Sequence, residues 1–130
     1  MTTQKQPTAY DELRAVFEDS SERNWDGYDA EPVSAASVEN AERFLDLLPA
    51  GIPPPSIGAE PDGDITLDWF DDRGPNLHTT SISISVSPSG ALFYSVFIGA
   101  STSGREAFSD SIPENILKYL EQLPKGNDDG

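Results

Sequence analysis

The stretch Ser81-Ile82-Ser83-Ile84-Ser85-Val86 alternates serine with β-branched apolar residues. A period of two places successive side chains on opposite faces of an extended chain, so this stretch predicts a β-strand with one buried and one solvated face. Residues 64–70 alternate in the same way and follow Pro61-Asp62-Gly63, where proline presets one backbone angle and glycine accepts a positive one. Residues 56–60 and 64–70 are therefore expected to form a β-hairpin.

The chain after this hairpin predicts two more strands. The alternating strand is expected to span residues 78–86, and the tight turn Ser87-Pro88-Ser89-Gly90 leads to a fourth strand at residues 92–98. Residues 99–111 are small and polar, and no strand is expected in them. Sequential hairpins of this kind predict an antiparallel meander.

Helical periodicity flanks the strands on both sides. Apolar residues recur at helical spacing in residues 8–20, in residues 35–48 after the N-cap Ser34, and after Ile112-Pro113-Glu114. The order is ααββββα, which predicts an α+β fold with a four-stranded antiparallel meander sheet and the helices packed on one face. One domain is expected over residues 8–124, between a flexible N-terminal tail, 1–7, and a flexible acidic C-terminal tail, 125–130.

The charge balance restricts the partners that the chain can take. Its 130 residues include 23 Asp and Glu against 8 Lys and Arg, which gives a formal net charge of -15. Such a charge repels phosphate backbones and anionic lipid surfaces, and it attracts basic protein surfaces. Direct nucleic-acid and membrane binding are therefore not expected, although the charge is equally consistent with a role in solubility alone or with a salt-rich host.

The absence of cysteine excludes disulfides, thiolate metal sites and a cysteine nucleophile. The N-terminus lacks an apolar signal core, and no run approaches the roughly 18 apolar residues of a membrane span. A cytoplasmic protein is expected.

No catalytic centre is recognisable in the sequence. The single histidine, His78, begins a predicted strand, and no nucleotide-binding glycine motif is present. Five acidic residues lie in and around the predicted hairpin and are candidates for acid–base chemistry or for binding a hard cation; they are Asp62, Asp64, Asp68, Asp71 and Asp72. Their spacing matches no calcium loop, so we expect a solvated acidic rim, no metal, no cofactor and no enzymatic activity. A less favoured hypothesis is an enzyme that uses carboxylates, with a pocket around Trp25, Asp26, Trp69 and His78. It ranks third, after the two binding hypotheses given at the end of this section.

Two features indicate binding. The loop Trp25-Asp26-Gly27-Tyr28 places two aromatic residues beside Asp29, and aromatic residues are enriched in binding hot spots, although the same residues would also plug the end of a core. The second feature is the sheet face opposite the helices, which is expected to carry Ser81, Ser83 and Ser85 beside either Phe93 and Phe97 or their alternates. Such a face suits a docked partner or self-association, and the alternative is an ordinary solvated surface.

The segment Asn24-Trp25-Asp26-Gly27-Tyr28-Asp29-Ala30-Glu31-Pro32-Val33-Ser34 and the hairpin Pro61-Asp62-Gly63-Asp64-Ile65-Thr66-Leu67-Asp68-Trp69 together resemble a family of small uncharacterised bacterial proteins. That family has a W-[DN]-G-x-x-A-x-P-[IV]-S segment and a P-D-G-x-[IV]-x-[LF]-[DE]-W hairpin, and the likeness covers residues 13–86. Asp29 stands where the family commonly has glycine. The resemblance implies an accessory protein of mobile or defence-related regions, such as an antitoxin, an immunity protein or an inhibitor of a bacterial defence system.

Two functional hypotheses follow. The first is a small acidic non-enzymatic binding protein that neutralises or inhibits a basic protein partner, as an antitoxin, an immunity protein or an anti-CRISPR-like inhibitor of a defence nuclease complex would. Its partner-binding residues are expected among the loop and hairpin positions already described: Trp25, Asp26, Tyr28, Asp29, Asp62, Asp64, Asp68, Asp71 and Asp72. The second is a self-associating structural or assembly module, for which a homodimer is possible.

Overall fold

The computed structural model describes residues 9–20, 27, 32–71, 80–98, 100–108 and 110–123. Within these ranges the chain forms three helices and five strands. In chain order they are α1 (Ala9–Asp19), α2 (Ala35–Leu47), β1 (Ser56–Ala59), β2 (Ile65–Asp71), β3 (Thr80–Val86), β4 (Ala91–Ile98), β5 (Ser101–Ala107) and α3 (Glu114–Leu120). The predicted tails, 1–7 and 125–130, lie outside the described residues, and the prediction of a single domain stays a prediction.

The α+β class and the antiparallel meander are confirmed, but the strand number is wrong. The sheet has five strands in the order β1-β2-β3-β4-β5, so the element order is ααβββββα. The missed strand is β5, which lies within residues 99–111. Its sequence, Ser-Thr-Ser-Gly-Arg-Glu-Ala, has no apolar alternation, and nearly all of its side chains are exposed. Ladder pairing with β4, from Ala91↔Ala107 to Phe97↔Ser101, holds it in place.

The alternating residues of β2 and β3 form one continuous buried layer. Ile65, Leu67 and Trp69 pair with Val86, Ile84 and Ile82, and all six side chains are at most 3% exposed. The helices pack on this layer and contribute Leu13, Ala41, Phe44, Ile116 and Leu120 to the same core. The predicted N-cap of α2 is confirmed, because the Ser34 hydroxyl accepts the Ala36 amide hydrogen at 3.1 Å.

The two edges of the sheet differ. At β1 the helix α1 packs close by, and the Ile57 amide donates to a carboxylate oxygen of Glu12 at 3.3 Å. At β5 nearly every side chain is exposed. There Gly104 lets the ring of Tyr94 lie across the strand, where it contacts Tyr119 of α3 at a centroid distance of 5.9 Å. None of the helices in the described ranges combines the length and the apolar character that a membrane span requires.

The position of Tyr94 makes Gly104 a sensitive site for the fifth strand. A Cβ atom at residue 104 would lie 2.5 Å from the Tyr94 hydroxyl oxygen and 2.8 Å from Cζ. We therefore expect Gly104→Ala to lower the free energy of unfolding by about 1–3 kcal/mol, the usual cost of overpacking. Urea unfolding measures this, with the exposed neighbour Ser103→Ala as the matched control. Equal stabilities of wild type and Gly104→Ala would contradict the placement of Tyr94 over β5.

Candidate partner-binding surfaces

The loop residues singled out from the sequence fall largely outside the described ranges. Trp25, Asp26, Tyr28, Asp29 and Asp72 are among those outside, and their role in binding stays a prediction. Within that loop Gly27 is described, and its exposed position and φ of 80° agree with the expected turn.

Of the four residues expected around an enzyme pocket, Trp69 lies within the described part of the chain. Trp69 is 3% exposed, and its indole N–H donates to the Pro53 carbonyl oxygen at 2.7 Å, so this side chain is part of the core. The other three members of that expected pocket, Trp25, Asp26 and His78, lie outside the described residues.

The hairpin turn gathers three carboxylates. We call residues 60–64 the acidic turn. The Glu60 amide donates to the Asp64 carbonyl and the Gly63 amide to the Glu60 carbonyl, both at 2.9 Å, and Gly63 has a φ of 97°. This fold-back brings carboxylate oxygens of Glu60, Asp62 and Asp64 within 4.8 Å of one another.

Asp64 is the buried carboxylate of the acidic turn. It is only 8% exposed, and the loss of hydration raises its pKa to about 6, with smaller contributions from the negative charges of Asp62 and Glu60. The turn is fixed on two sides, since the Ser34 amide donates to the Gly63 carbonyl at 3.2 Å and the Ser85 hydroxyl donates to Glu60 at 2.5 Å. Asp64 is therefore held in a rigid and partly dehydrated position.

The chemistry open to this cluster is the sharing of a proton or of a hard cation. Calcium takes roughly 6–8 oxygen ligands. With one oxygen from each, the three carboxylates of the cluster would supply only part of that number.

The expected turn is confirmed. The expectation of a solvated acidic rim is wrong at Asp64, because the turn packs against the segment that enters α2.

The other two described acidic candidates lie elsewhere. Asp68 is exposed in the middle of β2, on the face opposite the helices and between Ser56 and Ser83. Asp71 ends β2 opposite Thr80, six residues beyond Ile65, which at the strand rise is about 20 Å from the acidic turn. The acidic residues singled out from the sequence thus do not form one surface.

A more regular set of carboxylates lies on α2, and we call it the α2 acidic stripe. It consists of Glu39, Glu42 and Asp46, all exposed, at a spacing of three and four residues that places them on one face of the helix. The Tyr10 hydroxyl of α1 donates to Asp46 at 2.7 Å, and this hydrogen bond is the main cause of the raised pKa of Tyr10. Sequence reasoning missed this stripe, although the spacing that identified the buried face of α2 also places these three residues together.

The two long helices are acidic as a unit. Together α1 and α2 carry seven carboxylates and two arginines. Both arginines have partners within the chain. A guanidinium nitrogen of Arg14 lies 3.7 Å from a carboxylate oxygen of Asp11. The Arg43 guanidinium donates to the Asn40 side-chain oxygen at 3.1 Å, and its Cζ lies 4.9 Å from the centroid of the Phe108 ring. We call α1 and α2 together the helical layer. Their carboxylates outnumber their arginines by seven to two, so this layer presents a strongly negative surface.

The face of the sheet away from the helices, which we call the open sheet face, has a different character. Its members are Ser56, Gly58, Thr66, Asp68, Phe70, Ser81, Ser83, Ser85, Phe93, Ser95, Phe97, Ser101, Ser103, Arg105 and Ala107. The prediction that Phe93 and Phe97, and not their alternates, lie beside the three serines of β3 is confirmed. These two phenylalanines are 44% and 42% exposed. Phe70, at 68% exposed, lies on this face as the alternation of residues 64–70 predicts, whereas Arg105, whose guanidinium lies 5.5 Å over the Phe93 ring, was not predicted there.

An apolar groove of about 430 Å³ lies where α1, the end of α2 and the proline-rich crossing meet. Its described lining includes Tyr10, Leu48, Ile52 and Pro54, and Tyr10 is the one titratable side chain among the described lining residues. These residues therefore offer no pair of groups for acid–base catalysis.

Comparisons with protein-family models, with curated proteins and with solved structures give no match to this chain. The likeness to small bacterial accessory proteins, drawn from the two sequence motifs, therefore stays a prediction. The functional proposal rests on the charge and geometry of the surfaces described above.

The raised pKa of Asp64 predicts a pH-dependent stability. Since the pKa of about 6 lies above the unfolded value of 3.8, the folded state binds the proton more tightly and ionisation of Asp64 is destabilising. The stability present below pH 4 is lost as the pH rises through 6. Replacement by asparagine removes this loss, so Asp64→Asn should match wild type near pH 4 and exceed it by about 1–2 kcal/mol above pH 6.5, after allowance for solvent screening.

Urea unfolding of the two proteins at a series of pH values measures this difference. The matched control is Asp110→Asn, an exposed change away from the acidic turn, which should stay within about 0.5 kcal/mol of wild type throughout. A constant difference between wild type and Asp64→Asn across the pH range would rule out the buried carboxylate as its cause.

Proposed function

We propose that this chain is a small non-enzymatic binding protein that binds and neutralises a basic protein partner. The observation that carries the proposal is the excess of negative charge on α1 and α2, which together hold seven carboxylates and two arginines. Fixed carboxylates on a folded surface attract a complementary basic surface and speed its association.

The geometry of α2 supports a specific contact as well as a general attraction. Residues three and four apart on a helix have Cβ atoms about 5–6 Å apart, so the α2 acidic stripe forms a linear row of carboxylates. The acidic turn adjoins the start of this helix through the hydrogen bond from Ser34 to Gly63. A lysine- or arginine-rich groove on a partner would thus meet carboxylates along the helix and again at the turn.

The same charge indicates the class of partner. A net charge of -15 disfavours direct contact with phosphate backbones or anionic membranes, so the partner is a protein. Basic grooves of toxins and nucleases bind the phosphates of their substrates, and a row of carboxylates competes for those sites. An antitoxin, an immunity protein or an inhibitor of a defence nuclease complex fits this chemistry.

The proposal predicts which carboxylates the partner contacts. A triple variant of the α2 acidic stripe, Glu39→Gln, Glu42→Gln and Asp46→Asn, removes three charges and keeps an acceptor for the Tyr10 hydroxyl. The matched control removes three exposed charges near α3, in Asp110→Asn, Glu114→Gln and Glu121→Gln. Each immobilised protein is incubated with nuclease-treated lysate of the natural host, washed at low and at high salt, and its retained proteins are quantified by mass spectrometry.

We expect wild type and the α3 control to retain one basic protein that high salt releases, and the stripe variant to retain roughly three- to tenfold less of it, since a few tenths of a kcal/mol are lost per exposed charge pair. Equal losses from both triple variants would indicate attraction by net charge alone. Full retention by the stripe variant would show that the helical layer is not the contact surface.

A further inference from the structure

We propose that two copies of this chain associate face to face through the open sheet face, related by a two-fold axis that runs parallel to the strands between β3 and β4. This inference concerns a surface that the binding of a basic partner does not use. It rests on the apolar content, the charge and the side-chain pattern of that face.

The open sheet face exposes large apolar side chains. Phe70, Phe93 and Phe97 are 68%, 44% and 42% exposed, and all three project from the same side of the sheet. Isolated apolar residues are ordinary on protein surfaces, but three phenylalanines on one sheet face form a patch of the kind found at protein interfaces. In the described part of the chain no element covers this face.

The low net charge of the open sheet face favours a second copy of the chain as its occupant. The chain as a whole has a net charge of -15, yet the open sheet face itself carries one acid, Asp68, and one base, Arg105, with Glu60 of the acidic turn at its corner. Two such chains repel each other wherever acidic surfaces meet. They can approach with the least repulsion at this nearly neutral face.

Large and small side chains alternate along one row across the strands of this face. The row that crosses β2, β3, β4 and β5 at one level reads Phe70, Ser81, Phe97 and Ser101. The row two levels away reads Thr66, Ser85, Phe93 and Arg105. Between neighbouring phenylalanines there is therefore a serine, and the face consists of ridges and shallow grooves.

A two-fold axis between β3 and β4 makes this pattern self-complementary. It places β2 of one copy over β5 of the other and β3 over β4, at equal levels along the strands. Phe70 then faces Ser101 of the second copy, Phe97 faces Ser81, and Phe93 faces Ser85. Packed sheets lie about 10 Å apart, and large residues opposite small ones fill that space.

The same arrangement pairs the two charges of the face. Arg105 of the second copy lies over Thr66, and Asp68 follows Thr66 by two residues on β2, which is about 7 Å along the strand. An arginine side chain spans that distance, so Arg105 of each copy reaches Asp68 of the other. The two Asp68 residues face Ser103 and do not oppose each other.

The extent of the overlap fits a weak dimer whose formation depends on concentration. The four strands that overlap, β2 to β5, at about 4.8 Å spacing and with seven residues at about 3.3 Å, give a planar footprint of roughly 440 Å². The projecting phenylalanines raise the accessible area above this figure, toward the roughly 800 Å² per partner of a standard interface.

Sedimentation equilibrium of the full chain tests this inference. We expect a monomer–dimer equilibrium that tightens several-fold when NaCl rises from about 50 to about 500 mM, because salt screens the repulsion between two acidic chains. This is the opposite of the salt response expected for the basic partner, so the two proposals fail separately. A wild-type chain that remains monomeric at both salt concentrations, up to its solubility limit, would overturn the face-to-face dimer.

Two sets of variants locate the interface. Phe93→Ser with Phe97→Ser should raise the dimer dissociation constant at least tenfold, whereas Leu47→Ser, which removes an apolar side chain of similar exposure from α2, should leave it unchanged. An unchanged dimer in the phenylalanine variant would contradict the proposal. Asp68→Arg and Arg105→Asp should each weaken the dimer, and the double variant should restore it to within about twofold, as expected for a paired contact. A double variant weaker than either single one would refute the proposed two-fold alignment.

Discussion

The pairing of β2 with β3 determines most of what this chain presents to its surroundings. Leu67 opposite Ile84 and Trp69 opposite Ile82 place one buried layer beneath the helices, and the intervening residues are thereby directed to the other side. A slip of one residue in β3 would bury Ser83 and expose Ile84, and a slip in β2 would do the same to Asp68 and Leu67, so the register is strongly specified. The core and the open sheet face are two consequences of the same pairing.

The charge of the protein is unevenly distributed over this frame. The helical layer and the acidic turn hold most of the described carboxylates, while the open sheet face is nearly neutral and carries the exposed phenylalanines. These two surfaces lie on opposite sides of the sheet. One molecule therefore offers an acidic side suited to a basic protein and a mixed serine and phenylalanine side suited to its own copy.

Much of the architecture follows from local sequence signals. Period-two alternation, the Pro61-Asp62-Gly63 turn and the Ser34 cap correctly predict four strands and the start of α2. The fifth strand could not be predicted in this way, since β5 is held by its ladder with β4, whose paired residues are four to sixteen apart, and by Tyr94 lying over Gly104. The burial of Asp64 likewise depends on the packing of the hairpin turn against the entry to α2. The α2 acidic stripe was missed, although the helical spacing of Glu39, Glu42 and Asp46 is sufficient to predict it.

The measurement that tests the proposed function most directly is zero-length carbodiimide cross-linking of the wild-type chain in lysate of its natural host. The reagent joins a carboxylate to a lysine amine only when the two are within salt-bridge distance, so it reports the contacting residues themselves. Mass spectrometry should find lysine peptides of one basic protein attached to Glu39, Glu42 or Asp46, and to Asp62 of the adjoining turn. Cross-links confined to Asp110, Glu114 and Glu121, or the absence of any cross-linked protein, would contradict the proposal.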